Sequence, residues 1–161
     1  MSPEQRAGQL VMVALNAGSP SASLKPTIEQ HHVGNMLYLG GWTSGRADIT
    51  ATSALLQKMA TTEATGGVGL LIAADQEGGD VQQLKGDFTT IPSAQTQGRW
   101  APEKIHTQAQ AWGTELKAAG INLDLAPVTD TVPADLGKGY GPIGRWDRQF
   151  GSTPEQVSTS A

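Results

Sequence analysis

Four short runs of residues, 9–15 (QLVMVAL), 33–41 (VGNMLYLGG), 68–75 (VGLLIAAD) and 121–128 (INLDLAPV), are apolar on both faces. Helix-like stretches separate them. A strand that is apolar on both sides must be covered on both sides, which is the condition met by a parallel sheet flanked by helices. The intervening stretches read as those helices. Ser2, Pro3 and Gln5 have the order of an N-cap, a first-turn proline and the third residue of a capping box. Residues 24–32 form a second predicted helix. Residues 46–63 carry Ile49, Leu56 and Met59 at helical spacing and run into the glycines of TGGVG, a C-cap pattern. The clearest helix is opened by Pro102 and stopped by Gly120, with Ile105, Ala109, Trp112, Leu116 and Ala119 on one stripe. The expected class is α/β, with about four parallel strands alternating with helices.

A chain of 161 residues suits one domain, and residues 1–161 are expected to form one. Four strands at this length are about half of a (β/α)8 barrel, which takes ~250 residues, so a partial TIM barrel is the expected architecture. Thr153, Pro154, Glu155 and Gln156 repeat the helix-opening order of the amino end shortly before Ala161. This implies a chain cut inside a longer α/β domain. The net charge is -4, and the eleven basic residues never cluster, so no nucleic-acid footprint is expected. Cysteine is absent, which excludes disulfides and thiolate metal sites. The longest apolar runs fall well short of the ~20 residues of a membrane span. The first residues lack the basic start and apolar core of a signal peptide. As written the chain is expected to stay where it is made, with export left open if the amino end is incomplete.

In parallel α/β sheets the carboxyl ends of the strands carry the site. Here GGW follows Leu39, DQEGG follows Ala74 and APVTD follows Leu125. Asp75 is the candidate ligand acceptor, because a carboxylate at a strand end can receive hydrogen bonds from hydroxyl groups. Gly78 and Gly79 would admit close approach of a ligand or a positive φ. Aspartate and glycine after a strand also make ordinary turns, so the residues alone leave both readings open.

The strings DQEGGDVQQL, FTTIPSA, INLDLAPVTD and IGRWDRQFG, in that order, resemble the amino-terminal barrel of glycoside hydrolase family 3, in particular its bacterial, NagZ-like β-N-acetylglucosaminidase branch. The family patterns are DxEGGxVxRL, FTxxPSA, GINLDxAPVxD and DRxFG. The resemblance implies a retaining hydrolase that removes terminal β-linked N-acetylglucosamine from muropeptides or related β-glycosides; no cofactor is expected, and no cluster of ligating residues suggests a metal. It assigns Asp75 and Arg148 to the sugar. Asp124 and Asp130 become pocket scaffolding, as do Glu77, Gly78 and Gly79. Trp42, beside Gly40 and Gly41, is a candidate for stacking on a sugar face. Trp100 and Trp146 are expected to anchor loops, and Trp112 to lie on the apolar stripe of its helix.

Two departures accompany the resemblance. Gln83 stands where the family has arginine, and Asp80 follows the glycine pair where a basic residue is common. Moreover, the branch uses a general acid/base histidine in a KHxxGHG-like loop and an aspartate nucleophile further on; neither motif occurs in these residues. His31, His32 and His106 fall on helices or their ends. Retaining hydrolysis needs both groups, so the 161 residues alone are expected to lack turnover. Two alternatives stay open: a non-catalytic sugar-binding half-barrel, and an incomplete barrel that pairs with itself or with a missing carboxyl-terminal half.

Overall fold

The computed structural model describes residues 1–161, which divide into two units. The first comprises Met1–Ala74, Gln83–Phe88 and Leu116–Asp124; the second comprises Asp75–Gln82, Thr89–Glu115 and Leu125–Ala161.

The first unit holds the sheet. Strands β1 (Met12–Asn16), β2 (Asn35–Leu39), β3 (Leu71–Ala74) and β6 (Leu123–Asp124) are parallel in the order β1-β2-β3-β6. The register brings Leu15 beside Tyr38, Tyr38 beside Ala74, and Ala74 beside Asp124. All four predicted strands exist, and each is shorter than its apolar run. At the first, helix α1 (Pro3–Gly8), opened by the Ser2–Gln5 capping box, is followed by a turn that takes up Leu10 and Val11. At the third, the Gln57 side chain accepts from the Leu70 N–H and donates to its carbonyl, so an amide replaces the strand ladder there. At the fourth, Pro127 removes a donor three residues after the last paired position, Asp124.

Helices α2 (Lys25–His31), α3 (Arg46–Gln57) and α4 (Thr62–Thr65) complete this unit. The single helix predicted over 46–63 is two. Met59 and Ala60 turn back onto Leu56 and Gln57, and the Thr61 hydroxyl caps the Ala64 N–H at 3.1 Å, starting a new helix. Gly66 ends it in the left-handed region at φ 67, where a glycine costs least. The core gathers Leu15, Met36, Tyr38, Ile49, Leu56, Leu70, Ile72 and Leu84, with Leu116 and Ile121.

Tyr38 is fully buried, and its hydroxyl meets Ser53 Oγ at 3.0 Å. Burial pushes its pKa up to about 12, against a smaller opposing effect of the Ser53 bond. An unfolded tyrosine ionises near pH ~10. The unfolded chain therefore loses this proton first, and stability falls as pH rises from about 10 towards 12. Urea unfolding at pH 9 and pH 11 is expected to show this loss, on the order of 2 kcal/mol by the top of the window. Tyr38→Phe should flatten it. An equally steep loss in the variant would assign the alkaline transition to other groups.

The second unit contains a hairpin absent from the sequence reading: β4 (Gln76–Gly78) runs antiparallel to β5 (Val81–Gln82). Helices α5 (Ala94–Gln97), α7 (Gly141–Arg145) and α8 (Pro154–Ser160) belong here, while α6 (Pro102–Ala118) follows its predicted course. Thr153 caps α8 through its side chain, as its sequence context implied. A small core joins Ala94, Phe150 and Val157. No helix is long and apolar enough to cross a membrane.

Candidate functional site

Strand β4 carries Glu77 into the interior of the second unit, where its side chain is 4 % exposed. Such a carboxylate needs compensation. Arg148 supplies it through two bonds: Nε donates to Oε2 at 2.7 Å and Nη2 donates to Oε1 at 2.6 Å. The geometry is the forked arrangement that matches guanidinium to carboxylate. Asp147, at φ 54, turns the chain ahead of Arg148, and the Arg148 N–H is tied to the Ile143 carbonyl at 3.1 Å. Two residues later Phe150 enters the small core. The DRQFG string thus joins an ion-pairing residue to a packing residue.

Asp75, directly after β3 in the chain, is half-buried. Burial raises its pKa above the usual carboxylate value and the Glu77 charge raises it further, while Arg148 works in the opposite direction. No hydrogen bond from the protein contributes to this balance. Arg148 in turn is held above its ordinary value chiefly by the Glu77 bond, with Asp75 and Asp130 adding to it. The cluster therefore has one committed pair and one uncommitted acceptor. A guanidinium has five N–H donors, and Glu77 uses two. Asp75 can accept and Arg148 can still donate, a combination suited to hydroxyl groups, which do both. A buried ion pair of this kind does not supply the acid and nucleophile that bond cleavage requires.

The glycine pair serves the protein itself. Gly78 lies at φ 99 and Gly79 at φ 57. A methyl group on Gly78 would collide with the Pro92 carbonyl and lie 2.6 Å from the Ile91 side chain, and one on Gly79 would lie 2.9 Å from Ser93 Cβ. The surfaces they approach are those of residues 91–93. Two buried glutamines, unnoticed in the sequence, fasten the same strings. Gln82 donates to the Thr89 carbonyl and accepts from the Ile91 N–H; Gln97 donates to the carbonyls of Glu77 and Pro92. Gln82 lies within DQEGGDVQQL and Gln97 three residues after FTTIPSA, and no local pattern marks either as buried.

The remaining candidates separate. Asp130, exposed, acts on Arg148 through its charge. Asp124 ends β6 in the first unit, beside Ala74. Trp42 is also in the first unit, and here the expectation is corrected. The indole is 6 % exposed and meets Tyr38 edge-on at 5.2 Å within the core, so it offers no open face to a sugar. Gln83, in place of the family arginine, accepts a hydrogen bond from the Gly41 N–H at 3.1 Å and anchors that glycine loop. His32 is tied to the Ala64 carbonyl at 2.8 Å; His106 lies exposed on α6. Trp146 is 42 % exposed and carries the Arg145 guanidinium 5.1 Å from its ring centre. Trp100 packs against Trp112 and under the Lys104 ammonium. No group of three or more His, Cys, Asp or Glu side chains gathers in a way that could hold a metal ion.

Known proteins are similar to this chain along its length. The family model described as Glycosyl hydrolase family 3 N terminal domain matches residues 3–161. A solved structure of a beta-N-acetylhexosaminidase from Beutenbergia cavernae is 43 % identical and superposes with a TM-score of 0.97 over 100 % of this chain and 48 % of that one. NagZ from Neisseria gonorrhoeae, solved with N-trifluoroacetyl-D-glucosamine, is 25 % identical with a TM-score of 0.68, covering 94 % of this chain and 43 % of that one. Beta-hexosaminidase LpqI of Mycobacterium tuberculosis is 28 % identical over 100 % of this chain and 38 % of its own length. The chain thus spans less than half the length of these relatives.

Proposed function

The chain belongs to glycosyl hydrolase family 3, and on that premise we propose that residues 1–161 form the sugar-holding part of a retaining β-N-acetylhexosaminidase barrel. The observation that carries the reading is Asp75, a half-buried carboxylate whose ionised form is disfavoured by burial, set in the field of an arginine already clamped by Glu77. A folded protein gains no stability from such a group. It gains a preorganised acceptor for ligand hydroxyls. The hexosamine ligand in the Neisseria structure and the names of the other relatives support a terminal N-acetylglucosamine residue as the occupant. In this reading residues 1–161 grip the sugar without hydrolysing it, since the acid/base and nucleophile motifs of the branch are not among them.

Asp75→Asn provides the test. A hydrogen bond to a charged group contributes about 1.5–3 kcal/mol, so the variant should bind N-acetylglucosamine at least about tenfold more weakly by calorimetry. Stability should move the opposite way. Because the folded pKa of Asp75 is raised, its ionisation costs stability at every pH above the unfolded carboxylate value, and removing the charge relieves that cost at pH 7. The expected pair is weaker binding with a higher Tm. Unchanged affinity in a well-folded variant would remove Asp75 from the site.

A further inference from the structure

The segment before Arg148 holds a groove that the sugar-gripping cluster does not use. It is a shallow, open depression of ≈ 570 Å³ lined by Lys138, Gly139, Gly141, Pro142, Arg145 and Trp146. Trp146 is 42 % exposed, and the Arg145 guanidinium stands 5.1 Å from the centre of its ring. Lys138 is paired with Asp147 at 2.9 Å, whereas Arg145 forms no ion pair. The lining and its neighbour Asp147 leave one net positive charge, in a chain whose total is -4. The glycines of the lining leave its surface bare: a side chain added at Gly139 or Gly141 would meet nothing within 4 Å.

Each part favours a particular feature of a ligand. An exposed indole accepts the apolar C–H face of a pyranose, and the ring also holds the guanidinium in place. A forked guanidinium pairs with a carboxylate better than with a neutral hydroxyl. We propose that this groove binds a saccharide bearing a carboxylate, with Trp146 under the ring and Arg145 on the carboxylate. The binding is independent of Asp75. The groove is therefore a second saccharide site in the same unit, selective for acidic sugars.

D-Glucuronic acid and D-glucose differ only in the carboxylate, and titrating each into the 161-residue protein while following the Trp146 indole resonance tests the proposal. Glucuronate is expected to bind at least tenfold more tightly than glucose. Arg145→Met should lower the glucuronate affinity at least tenfold and leave glucose unaffected; Trp146→Ala should weaken both. Both side chains are exposed, so neither change threatens the fold. Asp75→Asn should leave glucuronate binding intact even if N-acetylglucosamine binding is lost. Equal affinities for the two sugars, an Arg145→Met protein that still discriminates, or loss of glucuronate binding in Asp75→Asn would each overturn the proposal.

Discussion

Replacing Arg148 with alanine is expected to lower stability by about 3–5 kcal/mol, the cost of stranding a buried carboxylate. Glu77 is almost wholly enclosed, and both of its carboxylate oxygens accept from Arg148. With the guanidinium gone, the carboxylate loses both of its hydrogen bonds. Two neighbouring carboxylates, Asp75 and Asp130, lose the same counter-charge. Replacing both partners at once, Glu77→Gln with Arg148→Met, should be less damaging than Arg148→Ala alone, because no buried charge is left over. Chemical denaturation of the three proteins at pH 7 measures this. A loss below about 1 kcal/mol for Arg148→Ala, the scale of an exposed pair, would show that Glu77 is hydrated in solution.

Gly78→Ala is the second large effect, with an expected loss of about 3 kcal/mol or more. Two costs combine. At φ 99 an alanine sits in a region that only glycine occupies without strain, worth about 1–3 kcal/mol. Its methyl group would also be driven into the Pro92 carbonyl and the Ile91 side chain, an overpacking cost of about 1–3 kcal/mol. Backbone on one side and a branched side chain on the other leave little room to yield. Gly139→Ala is the control, since open space surrounds that position, and it should change stability by no more than about 0.5 kcal/mol. If Gly78→Ala were as mild, the glycine pair would be answering to a ligand and not to residues 91–93.

These two expectations also mark where sequence reasoning reached and where it stopped. Strand and helix order was legible because the physics is periodic and local: runs apolar on both faces, stripes at helical spacing, and caps such as Ser2–Gln5 and Thr153. Boundaries were less legible, and at β3 this is because distant side-chain amides take the place of the ladder. Gln57 and Asn122 both bond the backbone at Leu70, over 13 and 52 residues of separation, and no local pattern encodes such a contact. Asp75, Glu77 and Arg148 were identified through the family resemblance and meet in one cluster, yet the division of labour was not readable. Only the geometry shows that Glu77 takes up one edge of Arg148 while Asp75 stays open. Trp42 shows the converse problem. A tryptophan beside two glycines has the same sequence signature whether its ring faces a sugar or a tyrosine, and here the ring faces Tyr38.

The central claim is that a half-buried carboxylate beside a clamped guanidinium holds the sugar. The most direct measurement is a backbone and side-chain NMR titration of the 161-residue protein with N-acetylglucosamine. The account predicts saturable shifts at Asp75 and at the Arg148 Nε–H, with Trp42 unmoved. Saturating shifts that bypass Asp75 and Arg148, or no saturable response with the fold intact, would contradict it.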